Sequence, residues 1–96
     1  MKLRISMDEF VNAICLHMAM RRRVQPTDVE VELNWDEEYG YTAQVWVQGR
    51  HQYIVESNML EALEQYVYNT YGQRVFRSQI QLHVDDEMWA EVEVQG

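Results

Sequence analysis

Two short carboxylate runs are the residues best placed by type and spacing to do chemistry: Asp36, Glu37 and Glu38, and Asp85, Asp86 and Glu87. Each follows a stretch of alternating apolar and polar residues, so each is expected in the turn of a β-hairpin. If the two preceding strands run in the same direction, both turns lie at one end of a sheet. Their converging oxygens would then suit hard divalent cations, Ca²⁺, Mg²⁺ or Mn²⁺. The spacing is not that of an EF-hand, which alternates ligands around a central glycine and closes on a distal glutamate. Acidic residues also favour solvated turns for their own sake, and that plainer reading needs no metal.

Cys15 and His17 would be a nucleophile and its base if they could meet. Positions i and i+2 on a helix point to different sides, so they do not pair, and Cys15 reads as a small residue bordering a core. His51 and His83 fall on separate strands and make no zinc site, which wants four closely spaced ligands. No phosphate-cradling glycine loop, nucleophile elbow or dinucleotide fingerprint is present.

The elements that must position these residues follow from periodicity. Ser6-x-x-Glu9 fits a capping box. Met7, Phe10, Val11, Ile14 and Met18 then recur at helical spacing, Arg21 to Arg23 complement the helix C-terminus, and Pro26 closes the element. Leu16 and Met20 fall across from the stripe, an exposed apolar pair able to touch a second subunit. Val29, Val31, Leu33 and Trp35 alternate with polar residues, and after the acidic turn and Gly40 so do Tyr41, Ala43, Val45 and Val47. His51 to Glu56 makes a third strand. Asn58-x-x-Glu61 suggests a second capping box for a helix whose inner stripe is Met59, Ala62, Leu63, Tyr66, Val67 and Thr70, stopped by Gly72. Ile80, Leu82 and Val84, then Met88, Ala90, Val92 and Val94, form a last inward-facing pair of strands. Trp46 and Trp89 point the other way, onto the outer sheet face with Glu30, Glu32, Gln44, His83, Glu91, Glu93 and Ile54. Clustered there, they would form a docking patch.

The order predicted is α-β-β-β-α-β-β: an α+β two-layer sandwich of one mostly antiparallel five-stranded sheet with two helices on one face. VELNWDEEYGYTAQV and IQLHVDDEMWAEVEV echo one another, each following a helix, as any two hairpins or an old duplication would.

Ninety-six residues, 47% of them hydrophobic, are expected to build one domain over residues 1–96. A lone cysteine excludes an internal disulfide and suits a reducing compartment. No apolar run approaches a membrane span, and MKLRISMDEF meets charge too early for a secretory signal, so a cytoplasmic protein is expected. Sixteen acidic residues against eight basic give a net charge of −8, which opposes nucleic acid and anionic lipid. The helix-strand order superficially matches a double-stranded-RNA-binding domain, but the second helix opens ESNMLEALE, where that fold uses basic residues.

The run VEVELNWDEEYGYTAQVWVQGR, with CLH before it and ESNMLEAL and DDE after it, resembles the YxcD-like family of short bacterial proteins of unknown function. The likeness covers Asn12 to Glu87. It implies a small soluble protein without assigned activity and transfers no catalytic residue. The expectation overall is a non-enzymatic interaction module without cofactor. It would self-associate, a dimer first, through Trp46 and Trp89 or through Leu16 and Met20, or it would meet another protein partner. The competing expectation is a divalent-cation protein using Asp36–Glu38 and Asp85–Glu87; a small-molecule enzyme comes third.

Overall fold

Six strands and two helices are present in the computed structural model, which describes residues 1–94. In chain order they are β1 (Lys2–Ile5), α1 (Met7–Arg22), β2 (Val29–Asp36), β3 (Gly40–Val47), β4 (Arg50–Val55), α2 (Glu56–Tyr71), β5 (Ile80–Val84) and β6 (Met88–Glu93). Single 3-10 turns at Pro26–Asp28 and Arg77–Gln79 lead into β2 and β5. The α+β class holds, but the single five-stranded sheet does not. The strands form two three-stranded antiparallel sheets, ordered β1-β6-β5 and β2-β3-β4. β1 is the missing strand. Lys2, Leu3, Arg4 and Ile5 do alternate charge with apolar bulk, but over four residues only.

Local chemistry explains each boundary. The Ser6 hydroxyl accepts from the Glu9 amide at 3.2 Å and starts α1. The Glu9 carboxylate does not complete the box, because two tyrosines of α2 claim it. α1 ends with Arg23 in the left-handed region at φ 58°, ahead of Pro26. α2 begins three residues earlier than its sequence suggests, with Val55 and not Asn58 as its N-cap. Asn58 sits inside the first turn and its side-chain oxygen accepts from the Val55 amide at 3.3 Å, so it caps backwards instead of opening a box with Glu61. Between β3 and β4, Gln48 at φ 50° and Gly49 at φ 77° form a two-residue turn whose twist matches that of the strands it joins.

One core unites the two sheets with the helices. Phe10, Ile14 and Met18 of α1 meet Met59, Leu63 and Val67 of α2, and the floor is Val45, Ala43 and Ile54 on one sheet and Ile5, Ala90 and Val92 on the other. Tyr41 on β3 donates its hydroxyl to the backbone carbonyl of Leu82 on β5 at 3.1 Å, tying sheet to sheet. Several inward assignments fail at the rims. Trp35 and Val84, the residues next to the acidic turns, are exposed, and Thr70 is exposed in the last turn of α2. Ile54 is the reverse case: expected on the outer face, it is buried opposite Ala43.

The echo between the hairpins extends through the whole fold. β1-α1-β2-β3 is repeated as β4-α2-β5-β6, with both helices 16 residues long and both second strands entered through a 3-10 turn. Phe10, Ala13, Ile14, His17 and Met18 occupy in α1 the positions that Met59, Ala62, Leu63, Tyr66 and Val67 occupy in α2, and all ten are buried. The first strand of each half is exchanged: β1 pairs with β6 and β4 with β3.

Candidate functional site

The acidic turns are used locally. Asp36 accepts from the Tyr39 amide at 2.6 Å, an Asx-type closure of its own turn. Asp85 accepts from the Trp89 indole N–H at 2.9 Å. The 85–87 turn lies beside Arg4, Ser6 and Met7 at the start of α1, whereas the 36–40 turn adjoins the β4–α2 junction, where Thr42 faces Val55. Among the described residues no three His, Cys, Asp or Glu side chains stand together as a metal-holding group.

The two tryptophans do point outward, but onto different sheets. Trp89 is stacked on His83, directly opposite it in the ladder, with ring centroids 4.3 Å apart, and the Arg4 guanidinium covers its other side at 3.9 Å. Both faces of that indole and its N–H are therefore occupied. Trp46 stacks on His51 at 4.9 Å, and His51 meets Tyr53 edge-on at 5.0 Å. This second group is the more open, with Tyr53 exposed. The histidines are thus stacking partners of the indoles. Cys15 is half buried, its thiol directed at the Val29 carbonyl at 3.7 Å, and burial raises its pKa above the ordinary thiol value. Such a thiol is a poor nucleophile near neutrality.

On the helix layer Leu16 and Met20 are 40% and 65% exposed, one turn apart on α1. With Ala62, Asn69 and Thr70 they flank a shallow groove between α1 and α2.

Two polar clusters at opposite ends of the helix pair had no local signature in the sequence. In the first, the Glu9 carboxylate accepts from Tyr71 at 2.6 Å and from Tyr66 at 3.1 Å, joining the start of α1 to the end of α2. The Tyr71 hydroxyl is pushed up to about 12, chiefly by that hydrogen bond to a carboxylate, with burial and the Glu9 charge adding to it. Tyr66 is raised too, by burial first and by Glu9 second. In the second, a cleft of about 380 Å³ opens between the C-terminal half of α1, β4 and the first turn of α2. Arg21, Arg22, Gln52, Tyr53 and Asn58 line it, and His17 lies at its inner end. His17 is 4% exposed, with Nδ1 2.9 Å from Gln65 Oε1 and Nε2 without a partner. Arg22 donates to Gln52 across the cleft. No carboxylate lines it.

With this geometry in place, comparison with known proteins adds one match. Residues 1–87 fit the model of a family described as a protein of unknown function, DUF2653. The chain belongs to that family. No curated protein and no solved structure matches it. Membership in DUF2653 agrees with the expectation of a family of unknown function, and it brings no ligand, partner or reaction to the residues above. No helix among the described residues is long and apolar enough to cross a membrane.

Proposed function

We propose that the chain is a non-enzymatic interaction module that forms a dimer through its helix layer. The observation that carries this reading is the exposed pair Leu16 and Met20 beside the α1–α2 groove. An apolar pair on a helix layer gains from being covered, at about 25 cal/mol for each Å² removed from water. A second copy can cover it about a two-fold axis that brings one groove against the other, since an isologous contact uses the same patch twice. The sheet-face version rests on Trp46, His51 and Tyr53 alone, because Arg4, His83 and Asp85 already occupy Trp89.

Native mass spectrometry and sedimentation on the full chain test the proposal. A dimer that dissociates on dilution is expected, and Met20→Glu, or Leu16→Glu with it, yields a monomer whose circular dichroism is unchanged. A wild-type chain that stays monomeric at the highest concentration measured overturns the helix-layer dimer. A dimer that survives Met20→Glu but is lost in Trp46→Ser moves the contact to the sheet face.

A further inference from the structure

The duplicated architecture makes the α1–β4 cleft legible. Under the correspondence that sets Phe10 against Met59 and Met18 against Val67, Arg22 takes the place of Tyr71 and Asn58 takes the place of Glu9. In one half the site is closed by the Tyr71–Glu9 hydrogen bond. In the other, a guanidinium replaces the phenol and the carboxylate is gone, because Asn58 spends its side-chain oxygen on the Val55 amide. Arg22 turns to the neutral Gln52, and neither Arg21 nor Arg22 makes an ion pair among the described residues. A chain with sixteen acidic residues has placed none of them in this lining.

The cleft also has a strand for a wall. Gln52, Tyr53 and Ile54 are consecutive residues of β4, the outer strand in the order β2-β3-β4. A two-residue turn makes its flanking pair, Val47 and Arg50, the hydrogen-bonded kind. Alternation then directs the backbone groups of Gln52 and Ile54 towards β3. Those of His51 and Tyr53 face outward along a free edge.

We propose that this cleft binds an extended acidic peptide from a partner protein. The peptide adds as a strand to the edge of β4 and seats a carboxylate on Arg21 and Arg22. Main-chain hydrogen bonds to His51 and Tyr53 supply the register. The guanidinium pair supplies the selectivity, since Arg matches a carboxylate in its planar fork. The net charge of −8 disfavours acidic peptides over the surface at large, and this cleft meets them with two guanidiniums and no carboxylate in its lining. The site uses different residues from the helix-layer dimer, and a monomeric Met20→Glu variant is expected to bind the peptide as wild type does.

The probe is a short, end-blocked peptide of alternating Glu and Val, titrated into the full chain by fluorescence anisotropy and followed by amide hydrogen exchange. Saturable binding is expected, with the His51 and Tyr53 amides becoming protected. Arg21→Ser with Arg22→Ser weakens it about tenfold, the scale of roughly 1.4 kcal/mol. Tyr53→Pro, which removes one outward N–H without breaking the β3 ladder, weakens it independently of charge. Four results each overturn the proposal: no binding; binding without protection of the two amides; equal binding of a Lys–Val peptide; or binding undiminished in the double serine variant. Inorganic phosphate or citrate reproducing the full response would instead make this a small-anion site.

Discussion

Replacing Glu9 by Gln tests the joint between the helices. Glu9 accepts two phenolic hydrogen bonds, from Tyr71 at 2.6 Å and Tyr66 at 3.1 Å. The amide keeps an acceptor oxygen of the same reach, so the change removes charge and little else. A hydrogen bond to a charged group contributes about 1.5–3 kcal/mol net and a neutral one about 0.5–1.5, a difference near 1 kcal/mol per bond. Tyr66 is 8% exposed and keeps that difference, whereas Tyr71 is 40% exposed and solvent screens roughly half of it. The sum is about 1.5 kcal/mol, equivalent to a melting temperature lower by roughly 6–12 °C for a domain of this size. The effect has a pH signature. In the unfolded chain the Tyr71 phenol loses its proton near its ordinary value of 10.0, while in the folded chain it holds it to about 12. The folded state therefore binds the proton more tightly. The contribution is complete below the lower value and is lost as pH rises through the higher one. The gap in melting temperature between wild type and Glu9→Gln is thus level from neutral pH up to the unfolded value and narrows above it. Thermal melts across that range measure the gap, and the tyrosinate absorbance difference between wild type and Tyr71→Phe locates the titration. A Glu9→Gln protein that melts with wild type at neutral pH, or a Tyr71 that ionises at its ordinary value, refutes the reasoning.

Three further outcomes follow from the packing and the turns. Saturating Ca²⁺, Mg²⁺ or Mn²⁺ is expected to leave the melting temperature where a chelator leaves it, since no three His, Cys, Asp or Glu side chains stand together as a metal-holding group among the described residues; a ligand selective for the folded state would raise it. Leu63→Ala, at a fully buried position between the helices and sheets, should cost about 2–5 kcal/mol by denaturant titration. Gln48→Asn should stabilise by about 0.5 kcal/mol in the same assay, because Asn tolerates the positive φ that Gln48 holds.

Both helices and both acidic-turn hairpins were legible from period alone, because a buried stripe and a half-buried strand each impose their own spacing on the apolar residues. Gly72, with φ 70°, ends α2 as its position in the sequence suggests. The division into two sheets was not legible. Alternation says which face of a strand is buried and nothing about which strand lies beside it, and β1 joins β6 across almost the whole chain. Trp46 and Trp89 were assigned the right face for the same reason that their separation was missed. The α1–β4 cleft is a comparable case. Arg21 and Arg22 read as ordinary helix-end cations, and only the pairing of the two halves reveals that Arg22 stands in the place of Tyr71 without the carboxylate that Tyr71 meets in Glu9. Aligning the two helical stripes, Phe10 with Met59 onward, would have exposed that substitution from the sequence.

The exchange of first strands bears on how the chain reaches this structure. Each half lends its opening strand to the other, but at unequal distance: β2, β3 and β4 follow one another along the chain, whereas the β1-β6-β5 sheet is incomplete until Lys2–Ile5 has met Met88–Glu93. Folding rates fall as contacts become more distant along the chain, and the Lys2–Glu93 pairing is nearly the most distant that 96 residues allow. The hairpins and the α1–α2 contact can form early, with β1 docking on β6 as the closing step. Until then β6 presents an open edge to every neighbouring molecule. On a chain synthesised in order β1 is made well before β6 and waits for its partner while the elements between them are completed.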